Sequence, residues 1–340
     1  MAARTPIRRS PQGSAEDRLI AKYFRPLATH PGARGLIDDA AVVGVPVGHE
    51  LVLTADGVIA GVHFFPDDPP DTVARKALRI NLSDLAAKGA KPLGFLLSVA
   101  LRRDVTDDWL RKFTVGLRAD AKAFGCPLLG GDTDRTPGLV SVSVSAFGTL
   151  PRGTMVRRDG ARAGDRIVVT GTIGDAALGV LLRRDPGLAR RWGLDARMRE
   201  HLLRRYLVPQ PRNALAAALR RSANGAMDVS DGLAGDLAKM CRVSRVDATV
   251  DVARVPLSRA ARAALTADPA LIETILTGGD DFEILASVPA GKLDALRKGA
   301  RKAGVAITEI GSATRGRGEA RFIDAQGRVQ KFARPSYSHF

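Results

Sequence analysis

Apolar and polar positions alternate along this chain in a way that divides it into short strands and amphipathic helices. The run EDRLIAKYF, from Glu16, spaces Leu19, Ile20, Tyr23 and Phe24 as a helix does. LVLTAD (51–56) reads as a buried strand. Residues 71–90 predict a helix: Asp71 caps it, Val73, Ala77, Ile80 and Leu85 share one side, and Gly89 with Pro92 ends it. FLLSVAL (95–101) is a strand, and 106–125 is a second helix closed by Gly125. In LVSVSVSAFG (139–148), Val140, Val142, Val144 and Ala146 alternate with Ser141, Ser143 and Ser145, which predicts a strand with one apolar and one polar face.

The stretch 149–165 is rich in Pro, Gly and Arg and marks a domain boundary. RIVVT (166–170) is a strand followed by a glycine-containing helix. Residues 196–221 are helical except at Pro209 and Pro211, and further strands fall at 246–252, 282–288 and 305–310. Residues 1–14, with Arg4, Arg8 and Arg9, read as a disordered tail. The expectation is therefore a two-domain α/β (α+β) protein: an N-terminal domain over 15–150 and a C-terminal domain over 151–340.

Composition narrows the class. The 340 residues are 45% hydrophobic and 26% charged, as in an ordinary globular protein, which excludes fibrous and wholly disordered chains. No stretch reaches the roughly 20 apolar residues of a membrane helix. The two cysteines, Cys126 and Cys241, lie too far apart in sequence to suggest a disulfide framework, which fits a cytoplasmic setting. The net charge is +16, yet the basic residues are scattered and aromatics make up only 5%. Nucleic-acid binding is thus a weaker reading of this charge than a solvated arginine-rich surface.

The aspartates carry the chemistry. Asp38, Asp39, Asp56, Asp84, Asp132, Asp228 and Asp231 each adjoin an apolar run or a glycine-rich turn. Carboxylates are costly to bury unpaired, and Mg²⁺ with phosphate oxygens offers them partners. GGDTD (130–134) combines two glycines, which let a backbone approach an anion, with Asp132; a glycine turn with an Asx cap explains it equally well. MDVSDGL (227–233) sets Asp228 and Asp231 three apart at a helix start, with Ser230 as a cap or a phosphate contact. In NLSD (81–84), Asp84 is within reach of Lys88 at i+4. GVHF (61–64) contributes His63, and TGGDDFEI (277–284) sets Asp280 and Asp281 between a glycine pair and a strand. There is no P-loop, no GxSxG elbow and no protein-kinase motif set. Many acids and basic loops without a covalent nucleophile suit phosphoryl transfer from ATP, where catalysis is positioning and charge neutralisation.

Taken in order, LIDDAAVV, TADGVIAGVHF, NLSDLAAKGAKPLGFLLSVAL, LLGGDTDRTPG, GDRIVVTGTIGDAALG, AMDVSDGLAGDL, LTGGDDFEIL and SYSHF resemble the thiamine-monophosphate kinase family from about residue 16 onward. NLSDLAAKGA and DVSDG are shared more loosely with aminoimidazole-ribonucleotide and selenophosphate synthetases. The resemblance implies ATP-dependent conversion of thiamine monophosphate to thiamine diphosphate by in-line transfer with several Mg²⁺ ions. It implies a homodimer whose N-terminal mixed sheets meet in a barrel-like interface. By position, Asp39, Thr54, Asp56, Asp84, Asp132, Asp228 and Asp231 correspond to metal ligands, with Asp39, Asp84 and Asp132 central to catalysis. Gly131, Asp132, Arg158 and Ser230 correspond to ATP contacts, and His63, Asp280 and Tyr337 to contacts with thiamine monophosphate. Three positions depart from the family pattern: Ile37 in place of a glycine, Ala55 in place of a threonine and Asp280 in place of a glutamate. An amide-activating synthetase of the same superfamily is the alternative enzyme reading.

Overall fold

A computed structural model describes residues 14–334 and 336. The N-terminal part runs α1 (Ala15–Leu19), β1 (His49–Ile59), α2 (Pro70–Ala87), β2 (Lys91–Leu101), α3 (Asp107–Ala123), β3 (Leu128–Arg135) and β4 (Ser141–Pro151). Ser14, expected in the tail, instead caps α1: its hydroxyl accepts from the Asp17 amide at 3.0 Å and Asp17 accepts from the Ser14 amide at 2.7 Å. The rest of the tail, 1–13, lies outside the described residues. Helix α2 does not use Asp71 as its cap. It starts after Pro69 with Pro70 in the first position, where the missing N–H costs nothing, and Asp71 sits in the first turn. Thr106 caps α3 through the Trp109 amide at 3.1 Å.

These strands form one sheet in the order β1-β4-β2-β3. β4 is antiparallel to both neighbours, and β2 and β3 are parallel. The expected alternation in β4 holds: Val142, Val144 and Ala146 are buried against α2 and α3 together with Ala77, Leu78, Phe113 and Leu117. The opposite face is covered only in part, where residues between 36 and 43 line a cavity over it. Leu53 is 62% exposed there, with Leu51, Ile59 and Leu96 also exposed. The sheet is open, with β1 and β3 at its edges, so no barrel closes among the described residues.

The C-terminal part runs β5 (Arg166–Thr170), α4 (Asp175–Arg184), α5 (Leu188–Arg191), α6 (Ala196–Leu207), α7 (Ala216–Ser222), β6 (Gly225–Val229), α8 (Leu233–Ser244), β7 (Val246–Asp251), α9 (Arg259–Ala267), α10 (Leu271–Thr277), β8 (Glu283–Val288), α11 (Leu293–Lys302), β9 (Ile307–Arg315) and β10 (Ala320–Ile323). Its six strands are ordered β10-β7-β9-β5-β8-β6. Helices cover both faces. Met227, Val229 and Leu285 pack with Leu233 and Leu237 on one side. Val168, Ala226 and Ile284 pack with Leu219, Leu293 and Leu296 on the other. That double coverage buries β6 and β8 along their whole length and β5 after Arg166, with no alternation of buried and exposed positions.

Helix α2 belongs to both parts. Ala77, Leu78 and Leu82 enter the first core, whereas Ala86 and Ala87 enter the second. Bonds across the junction reinforce it: Arg79 donates to the Pro209 carbonyl at 2.7 Å, Asn213 to the Leu82 carbonyl at 2.9 Å and Lys88 to the Ala226 carbonyl at 2.8 Å. α2 is thereby a rigid spine from which side chains reach the groove between the two parts.

Candidate active site

A cavity of about 660 Å³ opens at this junction. Asp56, His63, Asp84, Arg158, Asp228, Ser230, Asp231 and Asp280 all line it. Residues separated by more than 200 positions in sequence therefore face one space.

Each acid is placed by a distinct local device. Asp56 lies on β1, and its amide donates to Asn81 Oδ1 on α2 at 3.0 Å. The other end of the Asn81 side chain donates to the Ala77 carbonyl at 3.0 Å. The buried asparagine is thus a clamp between strand and helix. Thr54 donates to Asp84 at 2.5 Å, and Lys88 bonds the Ala226 carbonyl rather than Asp84, so the expected i+4 pair is replaced by a strand–helix contact. Asp228 ends up on β6 instead of a helix start, because α8 begins only after Gly232. Gly232 has φ +108°, and a Cβ there would lie 2.4 Å from the Thr277 carbonyl oxygen, so only glycine fits. Ser230 is not the helix cap: its amide and that of Asp231 both donate to Asp236 Oδ2 at 3.0 Å. The 278–282 loop docks on this turn through Asp280 N to Ser230 O (2.9 Å) and Phe282 N to Val229 O (2.8 Å).

The acids repel one another. Burial, then the Asp84 charge, pushes the Asp228 carboxyl up to about 8. Burial, then Asp84 and Asp231, pushes Asp56 up to about 6. Buried carboxyls that resist ionisation, with other acids beside them, form a donor set that a hard divalent cation would satisfy. Among the described residues, no three such side chains are already drawn into a ligating cluster.

The remaining predicted residues lie elsewhere. Asp38, Asp39, Gly131 and Asp132 line a second cavity of about 940 Å³. GGDTD is not a turn: it belongs to edge strand β3. A Cβ on Gly131 would lie 1.8 Å from the Leu97 carbonyl oxygen, which explains the glycine. In register, Asp56 faces Val144, Val144 faces Leu97, and Leu97 faces Gly131. Asp132 is therefore three strand spacings from Asp56, about 14 Å, on the other edge of the sheet. Tyr337 lies outside the described residues. His63 lines the first cavity and also has a structural role, accepting from the Ile59 amide at 3.1 Å.

Two residues escaped the sequence reading. Tyr206 lines the cavity, and Lys76 bonds Asp280 from behind it. The available signal was Lys76 itself, a charged residue between Val73 and Ile80 on the inward side of α2.

The sequence family described as AIR synthase related protein, N-terminal domain, matches residues 37–150, and its C-terminal domain matches 162–324. A thiamine-monophosphate kinase of Caulobacter vibrioides is 42% identical over 88% of this chain and 84% of its own length. The chain belongs to the thiamine-monophosphate kinase family. The Escherichia coli K12 member is 38% identical over 87% of this chain and 89% of its own. A crystal structure of the Stenotrophomonas maltophilia kinase superposes with a TM-score of 0.80 at 37% identity, covering 92% of this chain and 96% of that one. AaThiL complexed with AMPPCP and TMP gives 0.74 at 28% identity, covering 91% and 97%. Among thiamine-monophosphate kinases, then, this chain has the family's two-part fold, with the acids of both parts facing one groove.

Proposed function

We infer that this chain transfers the terminal phosphoryl group of ATP to the phosphate of thiamine monophosphate, releasing ADP and thiamine diphosphate in thiamine diphosphate biosynthesis. The observation that carries this reading is the shared cavity. One wall holds mutually repelling carboxylates, and the other holds Asp280, His63 and Tyr206. The related AaThiL structure holds an ATP analogue together with TMP.

In the proposed arrangement, Asp56, Asp84, Asp228 and Asp231, with Thr54, are the Mg²⁺ ligands of the first cavity, and Asp39 and Asp132 those of the second. Bound Mg²⁺ supplies neutralisation of phosphate charge. Arg158, Ser230 and Gly131 contact ATP. Arg158 brings a guanidinium to the cavity, and Gly131 lets the backbone approach phosphate oxygens. His63, Asp280 and Tyr337 contact thiamine monophosphate. An acceptor phosphate is already ionised near neutral pH, so in-line transfer needs no general base. The two cysteines are buried free thiols, in keeping with the reducing cytoplasm we assign to the reaction.

The same reading takes the chain as a homodimer. The partly exposed sheet face and the free β1 and β3 edges suit pairing with a second copy about a two-fold axis, β3 of one chain beside β1 of the other. Such pairing would bring Asp39, Gly131 and Asp132 of one protomer toward the acid cluster of its partner, closing the 14 Å gap. No partner is proposed among nucleic acids or membranes.

A coupled assay for ADP with direct chromatography of thiamine diphosphate tests the reaction. Product is expected with thiamine monophosphate, ATP and Mg²⁺ together, and none with free thiamine as acceptor. Absence of thiamine diphosphate under those conditions overturns the reading.

A further inference from the structure

Lys76 is a buried ammonium to which the proposed reaction assigns no role. Its side chain is 3% exposed, on the stretch of α2 that faces the cavity. It donates to Asp280 Oδ2 at 2.7 Å and to the His63 carbonyl at 2.9 Å. Its third side faces the Tyr206 ring, 4.2 Å from the centroid. An ammonium has three donors and no acceptor, and these partners account for all three directions. Every one of them lines the cavity, and they come from three separate segments: the loop after β1, the end of α6 and the loop before β8.

Those segments also touch away from Lys76: the Phe65 and Tyr206 rings pack edge to face 6.0 Å apart, and Arg205 donates to the Asp281 carbonyl at 2.9 Å. Lys76 joins all three at the cavity itself. Asp280 sits at φ +73°, a conformation that disfavours a side-chain-bearing residue unless its surroundings impose it. Its amide is tied to Ser230, but the ion pair to Lys76 is what fixes its carboxylate. The cavity also holds Asp56, Asp84, Asp228 and Asp231. Without the ammonium, a fifth carboxylate would be free to swing toward that group or to be repelled by it. The tyrosine is fixed from its far end: its hydroxyl donates to Asp68 at 2.8 Å, and Asp68 accepts from Arg183 at 2.9 Å. The ring that Lys76 faces is thus a rigid wall.

We propose that Lys76 is a positioning residue for the acceptor substrate: it holds the Asp280 carboxylate, the His63 backbone and the Tyr206 ring as one surface, and sets Asp280 apart from the metal-directed acids. The shorter aspartate at this position fits that role. Its oxygen meets the ammonium on α2, which leaves Asp280 Oδ1 as the oxygen available to the cavity. This inference rests on the thiamine-monophosphate kinase reading, and wild-type turnover in the same assay tests that reading separately.

The experiment is steady-state kinetics of Lys76→Met, Lys76→Arg, Asp280→Asn and the double variant, with each substrate varied in turn. Lys76→Met is expected to raise KM for thiamine monophosphate about tenfold while KM for ATP stays within about twofold. Lys76→Arg should recover part of the loss. Because Lys76 acts through Asp280, the double variant should be no worse than the poorer single one. An equal rise in both KM values, unaltered kinetics in Lys76→Met, or additive losses in the double variant would overturn the proposal. If Lys76→Met does not fold, Asp280→Asn decides: an unchanged KM for thiamine monophosphate refutes it.

Discussion

The two sheets of this protein solve the problem of burial in opposite ways. The six-stranded sheet is covered on both faces by its own helices, and its strands β6 and β8 are buried along their whole length and β5 after Arg166. The four-stranded sheet is fully covered on one face only and leaves Leu51, Leu53, Ile59 and Leu96 exposed on the other. The first is a finished scaffold that carries Asp228 on β6 and Asp231 and Asp280 on its loops. The second carries Asp56 at one edge and Asp132 at the other, on strands paired on one side only. The covered sheet groups its acids at one cavity, whereas the open sheet holds acids at two edges about 14 Å apart, the separation on which the proposed homodimer turns.

The sharpest test of that contrast is at the spine between the sheets. Asp84→Asn should lower kcat by about 10³-fold, because the Mg²⁺ that this carboxylate would hold neutralises developing phosphate charge, an effect worth several kcal/mol in the transition state. Initial rates at saturating ATP and thiamine monophosphate check this, and a loss under tenfold removes Asp84 from the centre.

The next test addresses the open sheet. Asp56→Asn and Asp132→Asn should each be nearly inactive alone. If sites are shared across a two-fold interface, a heterodimer of the two variants has one doubly altered site and one unaltered site. Co-refolding them in equal amounts should then restore about one quarter of wild-type activity. No recovery on mixing, with heterodimers verified by mass, would mean that both acids serve the same chain.

The smallest effect belongs to the acid cluster without metal. The Asp228 carboxyl is raised to about 8, chiefly by burial. A raised acid costs the folded state stability as pH climbs from the unfolded value, near 4, through the folded one. Asp228→Asn, in Mg²⁺-free buffer, should therefore raise Tm by about a few degrees at pH 8 and leave it unchanged near pH 4. Differential scanning calorimetry at both pH values reads this, and a Tm lowered at pH 8 contradicts it.

The elements were largely legible. Alternation in 139–148 and the apolar side of α2 depend only on which side chains avoid water, and both stand in the structure. Helix starts were less legible. Asp71 looks like a cap, but the Pro69–Pro70 pair sets the first turn, and backbone geometry outweighs a side-chain preference. The Asp84–Lys88 pairing failed for a related reason: spacing on one helix says who is near, but not that Thr54 on β1 and the Ala226 carbonyl on β6 are nearer.

By itself the sequence determined the chemistry on offer: acids beside apolar runs, glycines where backbones approach closely, and no covalent nucleophile. These are local properties, carried by residue type and by spacing of a few positions. Tertiary structure alone decided how the acids are grouped. Strand order puts Asp56 and Asp132 at opposite edges of one sheet, and the packing of α2 against both parts brings Lys76 to Asp280 across 204 positions of chain. Such groupings depend on which strands become neighbours, and that is settled by burial summed over the whole fold rather than by any short stretch within it.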